Sequence, residues 1–111
     1  MYFLDYYGPS ELYPEVRESL RRELAAAFRA EPATVSVRRI LTEDERPEVE
    51  LWVELSSEEQ LVRFGRDIAT RLSGVVRDAA RIDVWVMFRI VPLSHAFLNG
   101  TPRGRARAWE E

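Results

Sequence analysis

The sequence predicts an α+β domain in which two β-α-β halves build one four-stranded sheet with both helices on a single face, followed by a C-terminal hairpin. Two segments carry most of that prediction: Val49 to Leu55 reads VELWVEL, and Ile82 to Ile90 reads IDVWVMFRI. Both alternate with a period of two, and side chains two apart share one face of a strand. One face therefore holds Val49, Leu51, Val53 and Leu55, and its counterpart holds Ile82, Val84, Val86, Phe88 and Ile90. The opposite faces carry Glu50, Trp52 and Glu54, and Asp83, Trp85, Met87 and Arg89. That second face is half aromatic and half charged, so a partner or the function is expected to cover it.

The other elements follow in order. Tyr2 to Tyr7 (YFLDYY) is aromatic-rich and ends at Gly8-Pro9, which predicts a first strand and a turn. Ser10 is a suitable helix cap, and Pro14 is tolerated in a first turn, where backbone N–H groups lack partners. Val16, Leu20, Leu24 and Phe28 recur every four residues as one apolar stripe, and Pro32 is expected to end that helix. Thr34 to Leu41 is β-branched and reads as the second strand, and residues 42–47 form a charged turn. After the third strand, Ser57-Glu58-Glu59-Gln60 matches a capping box. Leu61, Phe64, Ile68 and Leu72 continue at helical spacing, with Gly74 as the expected helix end and Val75 to Arg81 as a connection. Beyond Pro92, Asn99-Gly100 predicts a tight hairpin turn. Arg103 to Glu111 is Gly/Arg/Ala-rich and reads as a flexible tail of the single domain formed by residues 1–111.

Composition excludes several function classes. A net charge of -3 weighs against nucleic acid or an anionic membrane as partner. Arg103, Arg105 and Arg107 do not reverse that reading, because no RNA-recognition signature accompanies them. Cysteine is absent, which removes disulfides, thiol catalysis and thiolate metal sites. His95 is the only histidine and reads as a turn or interface residue, so no metal or other cofactor is expected. The glycines form no phosphate loop. All 16 basic residues are arginine, which excludes Schiff-base chemistry on lysine. No apolar run is long enough for a signal peptide or a membrane span, and a cytoplasmic location is the default.

Two folds share this order of elements. A ferredoxin-like domain often leaves its second sheet face open for RNA or a protein partner. A tautomerase-like domain instead buries that face among subunits. Trp52 and Trp85 beside Glu50, Glu54, Asp83 and Arg89 suit such burial, because indoles and Arg–carboxylate pairs favour interfaces. The order of elements, the SSEEQ start of the second helix, the strand VWVMF and the ending HAFLNG followed by TPR resemble the tautomerase superfamily, the fold of macrophage migration inhibitory factor. The resemblance spans the whole chain and is nearest to a small bacterial family of unknown function.

That resemblance implies a homotrimer whose sheets close into a barrel, with the last segment reaching toward a neighbouring subunit. It also implies a site for small enol or keto acids. Superfamily enzymes use an N-terminal proline as acid or base, its amine tuned by an apolar pocket. This sequence begins Met1-Tyr2-Phe3, and a residue as bulky as Tyr2 should preserve Met1. The primary amine of Met1 then becomes the candidate catalytic group. The enzymes also hold a substrate carboxylate with arginines, for which Arg38 and Arg39 are the candidates. These two point to opposite faces, and their simpler role is an intersubunit ion pair with Glu50, Glu54 or Asp83. Asp83 and Trp85 are candidate pocket-wall residues. The alternative to a tautomerase or isomerase is a non-catalytic interaction module, tautomerase-like or ferredoxin-like, that binds a protein partner.

Overall fold

Period-two alternation and helical spacing resolve into two β-α-β units that share one sheet. The computed structural model describes residues 1–44 and 46–102. Strand β1 (Tyr2–Tyr7) leads through helix α1 (Tyr13–Phe28) to β2 (Val35–Arg39), and β3 (Val49–Leu55) leads through α2 (Glu58–Ala79) to β4 (Val84–Ile90). The sheet order is β2-β1-β3-β4. Strand β2 runs parallel to β1 and β4 parallel to β3, while the central pair β1 and β3 is antiparallel. Each helix thus connects two strands that are direct neighbours. A ferredoxin-like sheet splits its βαβ units by inserting another strand, so this pairing separates the two folds.

Register explains the two faces. Leu4 stands opposite Val53 and Tyr6 opposite Leu51, and Val49, Leu51, Val53 and Leu55 align with Val84, Val86, Phe88 and Ile90. These side chains meet the apolar stripes of both helices. Leu4, Tyr6, Leu20, Leu24, Leu51, Val53, Ile68, Leu72 and Val76 are fully buried. Near the start of β1, Tyr2 stacks on Phe28 with ring centroids 4.3 Å apart, and Phe28 meets Phe64 edge-on at 5.4 Å. The other sheet face carries Phe3, Asp5 and Tyr7 beside Ser36 and Arg38, with Glu50, Trp52 and Glu54 beside Trp85, Met87 and Arg89.

Several boundaries depart from the sequence expectation. Ser10 does not cap α1: Leu12 holds that position without a side-chain bond, and Pro14 occupies the first turn. The helix stops at Phe28, where Arg29 turns left-handed (φ 55°) and its N–H reaches the carbonyls of Ala25 and Ala26. Pro32 instead opens a short 3-10 turn. Helix α2 runs through Gly74 to Ala79. Val76, one turn beyond Leu72, is fully buried. Its burial offsets the roughly 1 kcal/mol cost of a glycine in a helix interior. Ser57 caps α2 as its spacing suggests, accepting from the Gln60 N–H at 3.2 Å.

A small hairpin, β5 (Phe97–Leu98) with β6 (Thr101–Pro102), ends the described chain. Asn99 and Gly100 both have positive φ (54° and 80°), as an Asn-Gly hairpin turn requires. The expected tail from Arg103 lies outside the described residues, as does Glu45 of the charged turn. No helix among the described residues is long and apolar enough to cross a membrane.

Candidate functional site

Because β1 is antiparallel to β3, the first residues of β1 lie beside the last residues of β3 and β4. A cleft of about 400 Å³ opens at that end of the sheet. Met1 and Phe3 form one wall, Phe28 and Leu55 supply apolar surface, and Glu54 and Gln60 supply polar groups. Gln60 is fixed by its own helix start: its Oε1 accepts from the Ser56 N–H at 2.7 Å and the Ser56 hydroxyl at 2.9 Å. Its amide NH₂ is left as a donor at the cleft. Thr34, also on the wall, donates its hydroxyl to the Glu31 carbonyl at 2.7 Å. The cleft thus combines aromatic and aliphatic walls with a few polar groups, the usual make-up of a small-molecule site. A second depression, between α1 and α2, is lined by Glu15, Glu23 and Asp78 with Arg22, a balance that disfavours anions.

A charged cluster lies on the open sheet face beside the cleft. Asp5 is only 5% exposed, yet its carboxylate accepts from Arg38 Nε at 2.8 Å and from Arg89 Nη1 at 3.4 Å. Arg38 arrives from β2 and Arg89 from β4, so the two outer strands converge on the centre of the sheet. The Arg89 guanidinium lies 4.8 Å from the Trp52 ring centroid, and that of Arg38 lies 5.1 Å from the Phe3 ring. Trp52 Nε1 donates to Glu50 at 3.1 Å, and Glu50 also pairs with Arg46 at 3.1 Å. Asp5 thus holds two cations at once, while Glu50 and Glu54 keep the face as a whole mixed in charge.

The five residues singled out in the sequence fall in different places. Met1 lines the cleft and is 64% exposed. Arg38 stands opposite Asp5, four positions along the sheet from Met1, or roughly 13 Å at strand spacing. Its side chain lies over Phe3, however, which brings the guanidinium to the border of the cleft. Arg39, opposite Tyr6 at the end of β2, is exposed on the helix-side face. Asp83 precedes β4 and Trp85 is 57% exposed opposite Glu50, both toward the other end of that strand from the cleft. Of the five, only Met1 lines the cleft, and Arg38 approaches it through its contact with the Phe3 ring.

Within its own chain Arg38 pairs with Asp5, which the parallel pairing of β1 with β2 puts directly opposite. Sequence reasoning missed Asp5 altogether. Its signal was a single acid in the middle of YFLDYY, on the face shared by Phe3 and Tyr7.

Unsplit β-α-β pairs joined by an antiparallel centre and followed by a short hairpin define the tautomerase, or macrophage migration inhibitory factor, fold. Solved structures agree with that class. A protein of unknown function from Vibrio cholerae superposes with a TM-score of 0.76 at 16% identity, covering 91% of this chain and 86% of its own. A fused 4-OT protein, described as an asymmetric trimer, superposes at 0.73 with 17% identity over 94% and 98% of the two chains. A macrophage migration inhibitory factor-like protein from Entamoeba histolytica superposes at 0.66 with 8% identity over 91% and 96%. At these identities the likeness is one of fold. No known family pattern matches the chain, and no curated protein matches it.

Proposed function

We propose that the chain binds small enol or keto acids in the amino-terminal cleft, as a homotrimer, and interconverts their tautomers. The observation that carries this reading is the cleft itself, which has Met1 in its wall at the sheet end where β1 begins. Moving a proton between carbon and oxygen needs a group that serves as both base and acid within reach of the substrate. With Met1 as the first residue of the working protein, its amine takes the place that proline holds in superfamily enzymes. Arg38 is the carboxylate-binding cation: Asp5 holds its Nε, and its terminal nitrogens are left to form paired bonds to an anion. Arg39, Asp83 and Trp85 serve the cleft of a neighbouring subunit or its border. The trimeric descriptions of fused 4-OT proteins with this fold support the assembly.

The test is conversion of phenylpyruvate and 2-hydroxymuconate by untagged protein, followed in the ultraviolet, with Met1 verified by intact mass. Turnover that disappears on acetylating the terminal amine supports the reading. Folded protein without turnover overturns the enzymatic part and favours a relative that binds without catalysing.

A further inference from the structure

Glu54 lies where the antiparallel register of β1 and β3 brings it toward the chain start. The β1–β3 pairing ends at Leu4 and Val53, and one further step of that register sets Phe3 against Glu54. Continued to Met1, the same register makes Met1 and Glu54 diagonal positions across two strands, with backbones roughly 7–8 Å apart. Both line the cleft.

The charge pattern around Glu54 is uneven. Its register partner on β4 is Arg89, the obvious cation to neutralise it. Arg89 instead turns to Asp5 and lies over Trp52. Asp5 consequently has two guanidinium partners, while no hydrogen bond or ion pair among the described residues reaches the side chain of Glu54. A half-buried carboxylate left without a partner costs stability, and the fold has two arginines close by that it directs elsewhere. Glu54 lines the cleft that a substrate would fill.

We infer that Glu54 is a second catalytic residue of the cleft, handling the proton at oxygen while the Met1 amine handles the proton at carbon. The inference rests on the reading of the cleft given above. From a keto acid, the Met1 amine takes a proton from the carbon next to the carbonyl. The electron pair of that C–H bond becomes the new C=C bond. The carbonyl π pair moves onto oxygen, which takes a proton from the Glu54 carboxyl group. The site ends as ammonium and carboxylate, and one proton returned from Met1 to Glu54 through water resets it. In the ketonising direction every step reverses: Glu54 carboxylate takes the enol proton and the ammonium protonates carbon. A base and an acid placed on either side of the reacting atoms replace the single shuttling amine.

Wild type, Glu54→Gln and Glu54→Asp are compared for phenylpyruvate ketonisation, with melting temperature and native mass measured for each. The expected result is a fall in kcat of about 100-fold or more in Glu54→Gln, with KM changed by less than about threefold, as loss of a proton-handling group predicts. Glu54→Asp, which keeps the carboxylate on a shorter arm, recovers part of that loss. Wild-type turnover that survives Glu54→Gln within about threefold, while acetylation of Met1 abolishes it, overturns the role of Glu54 and leaves the cleft reading intact. Absence of turnover in the wild type overturns both. Should Glu54→Gln fold poorly, kcat of Glu54→Asp decides: wild-type turnover from the shortened side chain counts against direct proton transfer.

Discussion

Arg38 meets Asp5 across the β1–β2 pair, with 2.8 Å between Nε and Oδ1. Asp5 is the only buried charged residue among those described, and Arg89 reaches its second oxygen. Both arginines keep nearly half of their side-chain surface in water (49% and 42%), so their rehydration softens any loss of the acid. We expect Asp5→Ala to destabilise by about 1–3 kcal/mol, read from the urea midpoint. Asp5→Leu should cost less, because both variants remove the acceptor but leucine fills the space that alanine leaves empty. Equal losses in the two variants would mean that the charge pairing, not the occupied space, carries the stability.

Gly74 offers a sharper test of helix α2. A Cβ added there meets nothing within 4 Å, whereas one at Gly65 comes within 2.9 Å of Leu61 Cδ1. Gly74→Ala should therefore stabilise by about 0.4–1 kcal/mol through chain entropy and helix propensity. Gly65→Ala must displace Leu61, whose side chain packs against the core, and should stabilise less or destabilise. Thermal melting of the two single variants decides the order.

The same glycine shows where sequence reading stops. Strands β1 and β3 were legible to the residue, since alternation and the bounding turns are local signals. Gly74 resembled a helix end because local chemistry favours glycine there. Burial of Val76 against the sheet overrides it, and that contact is long-range. The site divides in the same way. The proposed role of Met1 comes from the family resemblance, which is legible in the sequence. Asp5 and the cleft position of Glu54 depend on which strands pair and in what register, which alternation alone does not specify.

Phe28 couples the fold to the cleft. It stacks on Tyr2, touches Phe64 edge-on and lines the cleft wall. Phe28→Ala removes both ring contacts and enlarges the cavity. Because the residue is only half-buried, the loss should fall near or below the low end of the usual range for Phe truncation, about 2–3 kcal/mol. On the proposed function, KM for phenylpyruvate should rise more than kcat falls, since the ring supplies binding surface and no proton. A fall confined to kcat would instead tie Phe28 to the placement of Met1.

Assembly is the prediction with the widest consequence. Trp85 is 57% exposed on edge strand β4, Leu41 is 73% exposed beyond edge strand β2, and Phe97 and Leu98 of the hairpin are 62% and 68% exposed. Leu41 and Trp85 lie at opposite margins of a sheet whose open face is rich in arginine and tryptophan, a composition suited to an interface core. Native mass spectrometry should give a trimer, and Trp85→Ala should shift it toward monomer, because a buried indole anchor commonly carries about 2 kcal/mol or more of binding energy. A monomeric wild type at micromolar concentration would overturn the trimer. A trimer indifferent to Trp85→Ala would instead show that the indole does not anchor the assembly, and would leave its proposed place at the border of a neighbour's cleft to be tested. Phenylpyruvate kinetics of that variant would then carry the answer, as a changed KM in an intact assembly requires that Trp85 reach the ligand.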